Sequence, residues 1–97
     1  MSNMRRRVSE ALYDEQLLEL LAGIEHERWS HWQRYLHSKC VRGDDGSLTI
    51  PPELVTRWSK QMHTAYPDLS DDEKKSDRDQ VRRYLPAIAA VLDDGEQ

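Results

Sequence analysis

One cysteine, no apolar stretch of membrane-spanning length and no excess of positive charge set the first limits on this 97-residue chain. Cys40 has no partner for an intramolecular disulfide. No apolar run approaches the roughly 20 residues that span a hydrocarbon layer, which argues against an integral membrane protein. The N-terminal arginines are followed by no apolar segment of the kind a secretory signal requires, so the expected location is the cytoplasm, with no membrane partner. A net charge of -4 leaves little basic surface for phosphate backbones, and DNA or RNA is not the expected partner.

Catalytic constellations are lacking too. In Glu25-His26-Glu27-Arg28-Trp29-Ser30-His31 the two histidines stand five apart, whereas zinc proteases set them four apart on one helical face. Five residues turn a helix by about 500°, so the imidazoles diverge and no metal is expected. His26, His31, His37 and His63 supply bases, but none at recognisable spacing from a serine or cysteine nucleophile. The chain is therefore not expected to be an enzyme, nor to carry a cofactor. Arg42-Gly43-Asp44 and Asp44-Asp45-Gly46 look like an adhesion tripeptide and part of a calcium loop. Both read as turn chemistry, because the later glutamate ligand of a calcium loop is missing.

What is present is a lean globular composition, 37% hydrophobic and 33% charged. That supports one domain, and self-association is an expected source of further buried surface. The organisation reads as a flexible basic N-terminus over 1–13 with Arg5, Arg6 and Arg7, a single helical domain over 14–93, and an acidic tail over 94–97. Ser9 or Asp14 caps a first helix running to about His37, with Leu17, Leu18, Leu21, Ile24, Trp29, Trp32 and Leu36 at helical spacing. Gly23 weakens it mildly.

Between Val41 and Thr49 the glycines, aspartates and Ser47 predict a loop or short hairpin. Pro51 and Pro52 open a second helix, striped by Leu54, Val55, Trp58 and Met62 and ending near His63. Ser70 and Glu73 have capping-box spacing and begin a third helix, whose stripe of Val81, Tyr84, Leu85, Ile88, Val91 and Leu92 continues past Pro86, so a kink or a short break is expected there rather than a new domain. The expected fold is all-α: a small bundle of three main helices, the last kinked at Pro86, with an inserted loop.

Glu25 shares a stripe with Leu18, Leu21, Trp29 and Trp32. A carboxylate carried toward a core or pocket needs a partner, and Arg78, Arg82 or Lys74 is expected to supply it. The pair is either a structural ion pair or part of a ligand pocket. Trp29, Trp32, Trp58 and Tyr66 flank the predicted helix junctions, as core residues or as stacking faces for a planar ligand.

Two segments together resemble the RyR-type domain. They are Glu25-His26-Glu27-Arg28-Trp29 and the run from Tyr66 to Arg78, in which Leu69, Ser70, Glu73, Lys74, Asp77 and Arg78 match a Tyr-x-x-Leu-Ser-x-x-Glu-Lys-x-x-Asp-Arg-like pattern. Tyr66 precedes Pro67 here, where family members often have the reverse order, and an insert over 41–63 replaces a short basic connector. With Trp29-x-x-Trp32, the Asp45-Gly46-Ser47 turn and Arg57-Trp58, the whole pattern is similar to small proteins common in phage genomes, and the likeness covers about residues 16–92.

The resemblance implies a module that senses nucleotide-derived messengers, and in free-standing form a homo-oligomeric trap for a cyclic oligonucleotide or related immune signal in the bacterial host. It implies ligand contacts from Arg28, Trp29, Trp32, Arg57, Trp58, Gln61, Tyr66, Lys74 and Arg78, with Glu25, His26 and Asp77 as a structural ion pair or pocket. The competing expectation is a protein-protein adaptor or inhibitor docking through an exposed aromatic helix.

Overall fold

We describe the chain from a computed structural model that defines residues 8–95, with the backbone alone at 94 and 95. Arg5, Arg6, Arg7 and Glu96 lie outside the described residues. Residues 8–12 are helical. They precede α1 (Glu15–Lys39), a hairpin of β1 (Val41–Arg42) and β2 (Leu48–Thr49), α2 (Pro52–Met62), a 3-10 turn at Tyr66–Asp68, α3 (Asp71–Arg82) and α4 (Leu85–Gly95). The fold is all-α apart from that hairpin.

Local chemistry explains most boundaries. Asp14 accepts the Gln16 N–H at 2.7 Å and so meets one of the donors a helix start leaves unpaired. Ser9 sits inside the helical segment 8–12 and does not cap α1. At the other end His37 and Lys39 face the helix dipole's negative pole, two residues beyond the expected stop. The alternative of loop or hairpin resolves as a hairpin, with Val41 paired to Thr49 and Arg42 to Leu48. Its turn places Gly46 at φ 87°, a left-handed conformation that side chains strain. Asp45 accepts the Ser47 N–H at 3.0 Å, and the Ser47 hydroxyl first, then that N–H, hold the Asp45 carboxyl below its ordinary pKa.

Ser70 and Glu73 form the reciprocal box that their spacing predicts. Glu73 N–H donates to Ser70 Oγ at 3.2 Å and Ser70 N–H to Glu73 Oε1 at 3.1 Å. The kink or short break expected at Pro86 is a break, and the last expected helix is two helices, α3 and α4. Residues 83 and 84 interrupt it, and Pro86 lies in the first turn of α4. Proline has no N–H to give, and in a helix interior its ring clashes with the carbonyl four residues back; the first turn of a new helix avoids both costs.

The chain falls into two compact units, one of residues up to Arg28 together with those from Asp77 onward, the other Trp29–Ser76. In the first, Leu17 is 1% exposed, and Leu21, Ile24, Ala87, Ile88, Val91 and Leu92 are half-buried. In the second, Leu36, Leu48, Leu54, Trp58 and Leu69 are half-buried and no side chain is fully enclosed.

Two substitutions test this description in opposite directions. A Cβ at Gly23 would meet nothing within 4 Å, so Gly23→Ala should raise stability by about 0.5–1 kcal/mol. Ser70→Ala removes a cap and should lower it by about 1 kcal/mol. Urea denaturation followed by helical circular dichroism reads both.

Candidate functional site

Glu25 does not meet Arg78, Arg82 or Lys74, the partners its stripe implied. Its carboxylate takes Arg28 Nε at 3.1 Å on each oxygen, a further short contact from Arg28 Nη2, and the Tyr84 hydroxyl. Arg28 stands one turn along the same helix, the spacing at which neighbours share a face, and the break at residues 83 and 84 places Tyr84 beside it. The Arg28 and Tyr84 hydrogen bonds favour the ionised form, so the Glu25 carboxyl is lowered to about 2. The same bond raises Tyr84 and Arg28.

Arg83 adds a bond to Glu27 at 2.9 Å, and Arg82 pairs with Asp79 at 2.9 Å. His26, Asp77 and Arg78 are exposed in this unit. With half of the Glu25 side chain in solvent, this is an ion pair at the surface rather than a buried one.

In the unit of Trp29–Ser76 the aromatic residues expected to bind ligand divide. Trp32 and Trp58 meet edge to face with ring centres 5.5 Å apart, and Tyr35 lies 5.6 Å from Trp32 on its other side. This geometry suits the aromatic quadrupoles and ties α2 to α1. Lys74 stands 5.9 Å from the Tyr66 ring centre. Arg57 is exposed and Gln61 half-buried on α2. The Glu73 carboxyl is lowered first by its Ser70 bonds and then by the charges of Arg57 and Lys60.

Trp29 alone among the nine expected ligand contacts lines a groove in this unit. This open groove, of about 520 Å³, runs along two adjacent rows of α1, Trp29–Gln33–His37 and Ser30–Arg34–Ser38, and is also lined by Arg42 of β1. Residues four and eight apart lie above one another on a helix, so the rows make a continuous strip. Trp29 is 53% exposed. No carboxylate lines the strip, and among the described residues neither Arg34 nor Arg42 forms an ion pair.

Sequence reasoning singled out the motif residues and passed over Gln33, Arg34 and Ser38. The spacing of 29, 33 and 37 with 30, 34 and 38 was the available signal, but only the hairpin brings Arg42 to it.

The groove can hold a planar anion. Arginines offer paired N–H donors that match phosphate oxygens, and an indole face stacks on a base. Among the described residues no three or more His, Cys, Asp or Glu side chains converge as a metal site, and no helix is long and apolar enough to cross a membrane.

The lowered Glu25 carboxyl makes the first unit sensitive to acid. Because its folded pKa lies below the unfolded one, its contribution is complete above the unfolded value and is lost as pH falls toward the folded value. Glu25→Gln should therefore reduce the melting temperature at neutral pH, and its gap from the native chain should close between pH 4.5 and about 2. A gap independent of pH would show that charge plays no part.

Comparison of the chain with protein families, with curated proteins and with solved structures returns no match.

Proposed function

We propose that this protein is a non-catalytic binder of a nucleotide-derived anion, held in the groove of Trp29, Arg34 and Arg42. One observation carries the reading: a chain with net charge -4 sets two arginines and a half-exposed tryptophan along a strip that has no carboxylate. In a protein with 18 acidic residues such a strip is a local reversal of charge, and clefts of one sign concentrate ions of the other. From Trp29 to Ser38 the rows extend about 14 Å along the axis, the size of a small ligand rather than of a track for a polymer.

The biological role follows the resemblance to RyR-type domains: sequestration of a cyclic oligonucleotide or similar immune signal in the cytoplasm of a bacterial host by a phage-encoded sponge. Binding suffices for that task if copies outnumber signal molecules. A second reading, a protein-binding adaptor, has its own support. On α2 the residues Val55, Trp58 and Met62 follow one another at helical spacing, with Val55 46% and Met62 74% exposed, and apolar residues left in water mark partner surfaces.

A thermal-shift panel of cyclic di- and trinucleotides, ADP-ribose derivatives and mononucleotides separates the two readings. The sponge predicts stabilisation by one signal, recovered unchanged after denaturation. Arg34→Ala and Arg42→Ala should each weaken binding by about 10- to 100-fold, the loss of one charge-assisted contact, and Trp29→Ala by a similar factor. No shift with any nucleotide, or binding untouched by all three substitutions, would transfer the function to the α2 surface.

A further inference from the structure

Along the strip unlike groups follow one another in a fixed order. Trp29, its one indole, begins the row Trp29–Gln33–His37, and Arg34 stands in the neighbouring row. Five residues of helix separate Trp29 from Arg34, a rise of about 7.5 Å. Arg42 comes three positions after Lys39, the last residue of α1, and three residues of chain reach at most about 11 Å. Its backbone therefore lies near the C-terminal end of the helix, and the order is ring, first guanidinium, second guanidinium.

Neither guanidinium is used within the protein. Among the described residues Arg34 and Arg42 have no ion pair and no side-chain hydrogen bond. The Ser38 hydroxyl, by contrast, is already given to the Tyr35 carbonyl at 2.6 Å.

Resting on the nucleotide reading of this groove, we propose that the group it recognises is a nucleoside 5′-diphosphate, with the base on Trp29, the inner phosphate at Arg34 and the outer phosphate at Arg42. The number of groups carries the assignment. One guanidinium fork matches the oxygens of one phosphate, so two forks take two phosphates, while a single indole takes a single base. In a nucleoside 5′-diphosphate the ribose separates the base from the first phosphate, and the second follows directly on the side away from the base. A cyclic dinucleotide has as many phosphates but two bases, at opposite ends of its ring, and the strip offers the second base no indole. A mononucleotide leaves Arg42 unmatched, and pyrophosphate leaves Trp29 unmatched. ADP and ADP-ribose share the recognised group and differ only beyond the outer phosphate.

Titration of the isotope-labelled full chain, followed by NMR, reads affinity and location together. The probes are ADP and ADP-ribose, with AMP, cyclic di-AMP and inorganic pyrophosphate as controls, all without divalent metal. Both diphosphates are expected to bind about tenfold more tightly than each control, the effect of one charge-assisted contact, with shifts at the Trp29 indole N–H and at the Arg34 and Arg42 side chains. Arg42→Gln should abolish the difference between ADP and AMP, whereas Arg34→Gln should weaken both and keep their ratio. Unchanged helical circular dichroism shows that each variant folds.

Either diphosphate binding no more tightly than AMP, or an ADP preference that survives Arg42→Gln, overturns the diphosphate assignment and leaves the nucleotide reading standing. Cyclic di-AMP binding more tightly than ADP does the same, in favour of a ligand with two bases. Pyrophosphate binding as tightly as ADP reduces the strip to a site for charge alone and overturns both. Shifts confined to residues outside the strip, or none with any probe, remove the nucleotide reading itself.

Discussion

Three long-range side-chain contacts, Glu25 to Tyr84, Glu27 to Arg83 and Trp32 to Trp58, all end on helix α1. A helix of 25 residues is marginal in water by itself, because most helical stability in proteins comes from packing one face against something else. The dependence is sharper here because Gly23 stands within it. Within the unit of Trp29–Ser76 the strip is thus only as ordered as that unit's own contacts, among them Trp32 with Trp58.

That packing uses few apolar atoms. With Leu17 the sole fully enclosed side chain among the described residues, hydrophobic burial contributes less than in a typical domain of this size, and local devices take a larger share. The Ser70–Glu73 box, the Asp14 cap and the Asp45–Ser47 turn each settle backbone groups at an element's end. Contacts of this kind contribute about 1 kcal/mol or less each. A fold held by many small terms has little reserve, so a ligand that prefers the folded state has a proportionately large effect on the melting temperature.

The parts legible in the sequence are those whose cause is local. A capping box needs two residues three apart, a proline start needs one ring, and the hairpin turn needs a glycine tolerant of positive φ; all are visible without knowing what lies across the fold. The interruption at residues 83 and 84 was less legible, since the apolar stripe runs through Pro86 and periodicity alone does not distinguish a kink from a stop. The partner of Glu25 was missed for a different reason. Reasoning by stripe assumed that the carboxylate turns inward and needs a cation from another helix, while Arg28 was already one turn away and able to reach it at the surface. Arg34 escaped notice because exposed arginines are common, and only its neighbours on the strip and the approach of Arg42 make it distinctive.

The position of the strip on α1 constrains what can bind there. It occupies the C-terminal half of the helix, where the aligned peptide dipoles leave about half a negative charge, so the backbone disfavours an anion. The usual phosphate site at a helix start, with its unpaired N–H groups, is the opposite arrangement, and the start of α3 offers one only in form, since Asp71, Asp72 and Glu73 fill its first turn. An anion on this strip must therefore be held by side chains. Arg34 and Arg42 outweigh the half charge of the helix end, and the absence of carboxylates along the strip leaves that advantage uncancelled. Attraction of this kind is screened by salt, whereas stacking on an indole is not, so for the proposed ligand the two contributions would separate in a salt titration: the arginines would govern its slope and Trp29 the affinity that remains.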